Sequence, residues 1–290
     1  MRKPLRLGII GAENSHSWAI SEVCNIQRKV PLRVTHLWGE TRQAARFSAQ
    51  KGAIAHVVSD WREMAGQVDG IMIDHRDGAH HAKAARFFIK TGIPVFIDKP
   101  ITRNLQEAKS LFVAAKKYRT PIATYGIIPL QKRFCAFKAT LHAQNPIRFI
   151  NMVGPADIAG PYGGIFYYAF HQVEAAIDFL GTDIESAALR RCGENGIATV
   201  LFKGNRSATL HFLKSDWKGF QFEVCQGAAL HHIDAKFDPS PYLTAAKVLH
   251  DFLRTGNAPH SQQRMLAPIA VLQTLVKSLS TGRTEKIPAF

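Results

Sequence analysis

The chain has few cysteines and no long apolar run. Its four cysteines, Cys24, Cys135, Cys192 and Cys225, are far apart in 290 residues and form no Cys-x-x-Cys pair. This spacing is typical of reduced thiols and not of a disulfide scaffold. No apolar stretch approaches the roughly 18 residues that a membrane-spanning helix needs. A strand follows Pro4 directly, so we expect no signal peptide, no membrane partner and a cytoplasmic location.

Acidic residues are also scarce. The chain has 22 of them against 37 lysines and arginines, a formal net charge of +15. The densest basic clusters, Lys116-Lys117-Tyr118-Arg119 and Arg190-Arg191, are too short to be a basic arm, and no helix-turn-helix or zinc-finger pattern occurs. We therefore expect a solvated basic surface with some attraction for anionic ligands, and no nucleic-acid partner.

Metal-ligand patterns are absent despite thirteen histidines. The sequence has no H-x-x-x-H or H-E-x-x-H. The adjacent pairs His80-His81 and His231-His232 cannot point the same way in a helix or a strand. We predict no dedicated metal site.

The first 125 residues alternate short apolar segments with helical segments. Gly70–Ile73 and Val95–Ile97 are continuous apolar strands, as expected when both faces of a sheet are covered. Leu105–Tyr118 has the pattern of a helix between strands. Such alternation predicts a parallel, doubly wound α/β sheet, whose ligands bind at the carboxyl ends of the strands.

The pattern changes near residue 125. A predicted helix, Gln131–Ala143, is followed by strand candidates with turn signals between them, and two helices close the chain. This half is predicted to be an α+β domain with a largely antiparallel sheet. We place the domain boundary between residues 123 and 124, which gives domains of residues 1–123 and 124–290.

The stretch Leu5–Trp18, LRLGIIGAENSHSW, is a strand, a glycine turn and a helix start, which is the opening of a nucleotide-binding βαβ unit. The N–H groups of the helix N-terminus would suit a pyrophosphate. Against G-x-G-x-x-G, Gly11 fits, whereas Glu13 and His16 stand where glycines are expected. The stretch also fits an ordinary turn with Asn14 or Ser15 as the helix cap.

A lysine follows the strand Val95–Ile97, in the sequence Asp98-Lys99-Pro100. The proline keeps Lys99 extended, which aims its side chain into the ligand crevice. There it could hold a substrate hydroxyl or a developing oxyanion, or join a proton relay. A solvated loop lysine is the alternative.

Three stretches resemble the glucose–fructose oxidoreductase, inositol dehydrogenase and rhizopine-catabolism family (Gfo/Idh/MocA). They are IIGAENSH at 9–16, HHAKAARFFIKTGIPVFIDKP at 80–100 and GGIFYYAFHQVEAAIDFLG at 163–181. The second is similar to the family's H-x-x-x-A…G-x-x-V-x-x-E-K-P, with His81 as the histidine and Asp98 for glutamate. The resemblance implies a Rossmann domain that binds NAD or NADP. It also implies a second domain that lines the substrate pocket and forms oligomers, here a homodimer or homotetramer.

The resemblance implies cofactor contacts at the strand ends. Glu40 could bind a ribose diol and Arg42 could bind a 2′-phosphate, so NAD and NADP both stay open. Arg76-Asp77 stands where the family has Thr-Pro. The predicted cofactor-binding residues are Gly11, Glu13, Asn14, Ser15, His16, Trp38, Glu40, Arg42, Asp74, His75, Arg76, His81, Asp98, Lys99 and Pro100.

The family also has D-x-x-x-H on the helix after its Gly-Gly loop. His171 matches the histidine, whereas the aspartate position is Tyr167. Helical spacing puts Tyr167, His171, Glu174 and Asp178 on one face, which either lines a cleft or is simply solvated. The resemblance implies Lys99, His171 and Tyr167 as catalytic residues. It implies Lys99, Tyr168 and His171 as substrate-binding residues.

These features predict an NAD(P)-dependent oxidoreductase. It would transfer a hydride between nicotinamide and a small molecule, a sugar, polyol or related hydroxy compound. The alternative is a non-catalytic dinucleotide- or sugar-binding protein of the same fold. The missing aspartate and the altered glycine motif favour this alternative, whereas Lys99 and His171 oppose it.

Overall fold

The computed structural model describes residues 3–141, 145–214 and 219–290. The end of the helix predicted over Gln131–Ala143 therefore lies outside the described residues. The chain divides into two compact units. Unit 1 comprises the chain up to Thr102 with Gln106–Tyr125 and Ser240–Ser261. Unit 2 comprises Arg103–Leu105, Gly126–Pro239 and Gln262–Phe290. The domain boundary at residues 123 and 124 stays a prediction.

The strands run, in chain order, β1 (Leu5–Ile10), β2 (Leu32–Trp38), β3 (His56–Val57), β4 (Gly70–Ile73), β5 (Val95–Ile97), β6 (Ile122–Ala123), β7 (Ile147–Pro155), β8 (Ile184–Cys192), β9 (Asn195–Phe202), β10 (Arg206–Leu213), β11 (Gln221–Gln226), β12 (Ala229–Asp234) and β13 (Glu285–Lys286).

The α-helices are α1 (Ser15–Ser21), which continues as a π-helical turn over Glu22–Ile26, α2 (Arg42–Gly52), α3 (His81–Thr91), α4 (Leu105–Tyr118), α5 (Lys132–Thr140), α6 (Ile165–Leu180), α7 (Pro241–Thr255) and α8 (Gln262–Thr281).

Unit 1 is built on a parallel six-stranded sheet in the order β3-β2-β1-β4-β5-β6. The strand order reverses between β1 and β4, which is the topological switch point where doubly wound sheets bind ligands. The predicted Rossmann-like fold is therefore confirmed. The turns after β1, β4 and β5 all lie at this carboxyl-end edge, and they carry Gly11, Asp74 and Asp98.

Helix α7 returns from late in the sequence to complete unit 1. It packs against α1, and its carbonyl at Ala245 accepts a hydrogen bond from Tyr125 Oη at 2.9 Å. Gly70 lies directly under this helix, because a Cβ there would come within 2.5 Å of Leu253 Cδ2. A side chain at position 70 would therefore push α7 away from β4.

Unit 2 is built on a seven-stranded sheet in the order β12-β11-β7-β10-β9-β8-β13. Its pairs are antiparallel except β7 with β10, which confirms the predicted, largely antiparallel second sheet. Helix α6 packs on β7 and β10, and α8 packs on α6 and β8. Among the described residues no helix combines the length and apolar character needed to cross a membrane.

Candidate active site

The turn after β1 passes very close to the loop after β4. Gly11 has a φ of +118°, and a Cβ there would lie 2.5 Å from the carbonyl carbon of Asp74. Glycine is therefore required at this first motif position for both its backbone conformation and its lack of a side chain. Glu13 and Ser15, further along the turn, are exposed, and Glu13 therefore presents its carboxylate to solvent.

The carboxylate of Glu40, just beyond β2, binds the same turn. Its Oε2 accepts hydrogen bonds from the backbone N–H groups of Ala12 at 2.8 Å and Glu13 at 3.2 Å. Its Oε1 is buried and has no hydrogen-bond partner among the residues that the structure describes. Glu40 thus holds an unused acceptor at the edge where a dinucleotide ribose binds in this fold.

Four side chains converge where β1, β4 and β5 end. Asn14 Nδ2 lies 3.0 Å from Asp74 Oδ1 and 3.2 Å from Asp98 Oδ2, and all three residues are at most 4% exposed. His16 Nδ1 lies 3.1 Å from Asp98 Oδ2, and its side chain retains 16% exposure. We call Asn14, His16, Asp74 and Asp98 the switch-point cluster.

The pKa values of the two carboxyl groups in the cluster are shifted in opposite directions. Burial, then the charges of Asp98 and Glu40, raise the pKa of Asp74 well above its ordinary value. Burial also acts to raise the pKa of Asp98, but His16 and then Lys99 outweigh it and lower that pKa. Asp98 is therefore the more acidic of the two carboxyl groups, and Asp74 is the one that binds a proton more tightly.

Ligand atoms of His16, Asp74 and Asp98 lie within 4.8 Å of one another, which is a spacing compatible with metal binding. However, the Asn14 amide N–H₂ lies between the two carboxyl groups and contacts His16 Nδ1 at 3.3 Å. A cation would have to displace this amide. We therefore assign the cluster to hydrogen bonding, and the absence of a dedicated metal stays a prediction.

His81 ties two loops of the site together. It is fully buried, and its Nδ1 and Nε2 lie 2.9 Å from the carbonyl oxygens of Pro100 and His75. This holds the Lys99-Pro100 turn against the loop after β4. Lys99 itself is 5% exposed. It is therefore a buried lysine at the end of β5, and the solvated-loop alternative is wrong.

His75 and Trp38 form an aromatic wall beside this edge. Their ring centroids are 5.9 Å apart, and His75 also packs on His80 and His81. Burial, then His81 and His80, lower the pKa of His75 to about 3, so its imidazole is neutral. The indole of Trp38 donates to the Ser59 carbonyl at 3.2 Å.

A cavity of about 360 Å³ opens beside the glycine turn, in unit 1. Glu13, Ser15 and Arg76 line it as the sequence predicts. Thr41 caps α2 through Oγ1 and also lines the cavity, although it was not among the predicted site residues. Its position directly before the Arg42 helix is the signal that would have found it. Arg42 is exposed and does not line the cavity.

In unit 2, helix α6 carries Tyr167, Tyr168 and His171. The φ values of Gly163 and Gly164 are +85° and +59°, and the helix begins directly after them. His171 is 5% exposed and packs on the rings of Phe220, at 5.7 Å, and Tyr168, at 6.3 Å.

The polar face expected on α6 is neither solvated nor entirely open to a cleft. Glu174 is 2% exposed, and its Oε1 accepts a hydrogen bond from Gly126 N at 2.7 Å. Asp178 pairs with Lys138 at 2.7 Å. The solvated-face alternative is therefore wrong for Glu174, because this carboxylate serves a structural contact inside unit 2.

Tyrosines also line a cavity of about 260 Å³ within unit 2. Tyr167 contacts Tyr162 and Tyr168, with ring centroids 5.2 and 4.8 Å apart, and all three line the cavity with Lys214. Tyr162 and Lys214 were not predicted as site residues. No sequence motif marks them, because the loop before α6 and the end of β10 are joined only by folding.

Residues 5–125 match an oxidoreductase family with an NAD-binding Rossmann fold, GFO_IDH_MocA. This confirms the family resemblance and the cofactor class over that segment. Comparison with curated proteins finds no match.

Solved structures share the fold along the whole chain. A probable dehydrogenase from Thermotoga maritima superposes with a TM-score of 0.81 at 17% identity, over 98% of this chain and 99% of that one. Myo-inositol 2-dehydrogenase from Lactobacillus plantarum gives 0.81 at 16%, over 99% and 100%. An oxidoreductase from Agrobacterium radiobacter, in complex with NAD⁺, L-tartaric acid and magnesium, gives 0.78 at 13%, over 98% of each chain.

Proposed function

We propose that this chain, whose residues 5–125 match the Gfo/Idh/MocA oxidoreductases, is an NAD(P)-dependent dehydrogenase. The proposed reaction transfers a hydride between nicotinamide and a sugar, polyol or related hydroxy compound. The observation that carries the proposal is the buried Lys99 at the carboxyl end of β5, held in place through Pro100 and His81. A buried ammonium at the ligand-binding edge of a doubly wound sheet is costly unless it has a role there.

The residues of unit 1 fit a dinucleotide. The turn at Gly11 admits no side chain, so backbone lies close to the crevice, and Glu40 Oε1 offers a buried acceptor for a ribose hydroxyl. The carboxylate of Glu40 would also repel a 2′-phosphate. Among the two open cofactors, we therefore propose NAD over NADP.

Each proposed catalytic residue has a separate task. Lys99 Nζ donates a hydrogen bond to the reacting oxygen and stabilises its negative charge. His171 accepts the hydroxyl proton at a ring nitrogen, which suits an imidazole at neutral pH. Tyr167 and Tyr168 donate hydrogen bonds through Oη, since a phenol replaces the family's aspartate as a donor and not as a charge. When bound, nicotinamide supplies the hydride chemistry.

The first test is binding. Titration with NAD⁺, NADH, NADP⁺ and NADPH should show binding, with NAD(H) tighter than NADP(H). Absence of binding for all four nucleotides would contradict the proposal. A panel of sugars, polyols and hydroxy acids, read through reduced-nicotinamide absorbance, then identifies the substrate.

Variants test the catalytic roles on whichever substrate the panel finds. Lys99→Ala and His171→Ala should keep nucleotide binding and lose turnover. Lys83→Ala and His232→Ala alter exposed residues and are the matched controls. Rates of Lys99→Ala or His171→Ala that equal those of the controls would remove the proposed role.

A second candidate function is a non-catalytic dinucleotide- or sugar-binding protein. Tyr167 in place of the family's aspartate is the observation that favours it. Nucleotide binding without turnover across the whole panel would support this candidate over the dehydrogenase.

We also propose that the chain forms a homodimer or homotetramer through the sheet of unit 2. Phe149 and Leu201 both pair with Ser207 in one row of the sheet and are 37% and 40% exposed. Exposed apolar side chains on a sheet favour burial against a partner. Light scattering after size exclusion gives the mass, and a monomer would contradict this.

A further inference from the structure

The switch-point cluster has more buried carboxyl oxygens than hydrogen-bond donors to satisfy them. Asp74 and Asp98 are both buried, and Asn14 Nδ2 is the donor that both share. The second oxygen of Asp74, Oδ2, is buried and has no hydrogen-bond partner among the described residues. A buried, unpartnered carboxyl oxygen is costly in the empty protein and points to a ligand.

The place of the cluster identifies the part of the ligand that it faces. Asp74 follows β4 and Asp98 follows β5, in the half of the sheet that binds the second mononucleotide of a dinucleotide. Adenosine binds on the other half, where Glu40 follows β2. The second mononucleotide of NAD carries the nicotinamide ring, which is positively charged when oxidised and neutral when reduced.

We propose that Asp74 and Asp98 together exchange one proton for the positive charge of the oxidised nicotinamide ring. This inference rests on the proposed dinucleotide binding. Two buried carboxyl groups that share one amide favour holding one proton between them, and we place it on Asp74 because His16 lies 3.1 Å from Asp98. When NAD⁺ binds, the Asp74 O–H bond breaks, its electron pair stays on Asp74 as a carboxylate, and one H⁺ goes to solvent. NADH brings no positive ring charge, so it leaves the proton on Asp74.

His16 is the most exposed member of the cluster. Asn14 has two amide protons, which satisfy Asp74 and Asp98, so His16 Nδ1 is the group left to donate to Asp98 at 3.1 Å. The imidazole of His16 packs on Tyr242 at 5.5 Å and retains 16% exposure. The cluster therefore meets water on the His16 side.

Other charged groups around Asp74 and Asp98 set the pH range in which the proton is released. Glu40 raises the pKa of Asp74 and Lys99 lowers it, while His16, Lys99 and His81 lower the pKa of Asp98. Tyr125 also faces Asp98, and burial and that carboxylate raise the pKa of its hydroxyl. Tyr125 thus stays neutral, and Asp74 is the group whose proton can leave.

Binding and proton release can be measured on the wild-type protein without a known substrate. Calorimetric titration of NAD⁺ and NADH in two buffers of different ionisation enthalpy counts the protons released. We expect close to one proton for NAD⁺ and none for NADH. While Asp74 is protonated, the Kd of NAD⁺ should fall by about tenfold per unit rise in pH, and that of NADH should stay constant.

Asp74→Asn should abolish the proton release and the pH dependence of NAD⁺ binding, and leave NADH binding unchanged. Asp69→Asn, a surface carboxylate of unit 1 paired with Arg6, is the control and should behave as wild type. Equal proton release for both nucleotides, or none for either, would overturn this inference and leave the proposed function intact. Failure of both nucleotides to bind would overturn the two together.

Discussion

Asn14→Ala tests the switch-point cluster through stability. The change removes one buried amide that lies 3.0 Å from Asp74 Oδ1 and 3.2 Å from Asp98 Oδ2. A hydrogen bond to an ionised partner contributes about 1.5–3 kcal/mol and one to a neutral partner about 0.5–1.5 kcal/mol. With Asp98 as the charged partner and Asp74 as the neutral one, we expect a loss of roughly 2–4.5 kcal/mol in the free energy of unfolding at pH 7. Asn14 makes no side-chain cap to α1, so no capping loss adds to it.

Urea unfolding followed by tryptophan fluorescence measures this loss. Trp18, Trp38 and Trp61 are three of the four tryptophans and belong to unit 1, so three of the four fluorophores report that unit. Ser15→Ala changes the exposed neighbour of Asn14 and is the control, with an expected change within about 0.5 kcal/mol.

A double-mutant cycle with Asp98→Asn isolates the charged partner. The cost of Asn14→Ala should be smaller in the Asp98→Asn background, because the amide then serves a neutral group. A loss of under about 0.5 kcal/mol for Asn14→Ala alone, or no coupling in the cycle, would refute the reasoning.

Three further changes in unit 1 and one chemical probe have defined outcomes. Thr41→Ala should cost about 1 kcal/mol of stability in urea unfolding, and Thr41→Ser should recover most of it, because Oγ1 caps α2. Gly11→Ala should lower the melting temperature more than Thr41→Ala does, since φ is +118° and the Asp74 backbone is in contact. The raised pKa of Asp74 stabilises the folded state below about pH 3.9, and this stabilisation is lost as pH rises through the folded pKa. Asparagine does not titrate. The free energy of unfolding of Asp74→Asn should therefore rise relative to that of the wild type as pH rises. Burial raises the pKa of Cys24 to about 12, so iodoacetamide should modify the exposed Cys135 in the native protein and Cys24 only after unfolding, as read by mass spectrometry.

The sequence predicted the first and last residues of two continuous apolar strands and of one helix correctly. The predicted strands Gly70–Ile73 and Val95–Ile97 and the helix Leu105–Tyr118 coincide with β4, β5 and α4. In a sheet covered on both faces, each strand is bounded where polar or turn residues begin, so the sequence marks its limits.

The edge strand β12 was not predicted. Its sequence, ALHHID, has no clear alternation, and most of it is exposed. It is a strand because its backbone pairs with β11 from Gln221–Asp234 to Gln226–Ala229. Pairing with a neighbour, rather than side-chain burial, decides such a segment, and a single sequence does not show it.

The sequence predicted which residues lie together at the candidate site, but not which hydrogen bonds their side chains form. Strand ends at one sheet edge place Asn14, Asp74 and Asp98 together whatever their rotamers. That Asn14 donates to both carboxyl groups, and that Glu174 binds Gly126 N, depends on side-chain directions that packing sets. Spacing on a helix therefore predicted the residues of α6 that share a face, but not which of them are enclosed.

The place of α7 in unit 1 has a consequence for how the protein is made. Residues 5–125 leave the ribosome well before Pro241–Thr255, yet Leu253 of this late helix packs directly on Gly70. Until α7 has been synthesised, the nascent Rossmann segment exposes the apolar surface on which this helix packs, and chaperones or other chains can bind there. Expression of residues 5–125 as a fragment would make this exposed state permanent, so such a fragment should aggregate unless a peptide of α7 is supplied with it.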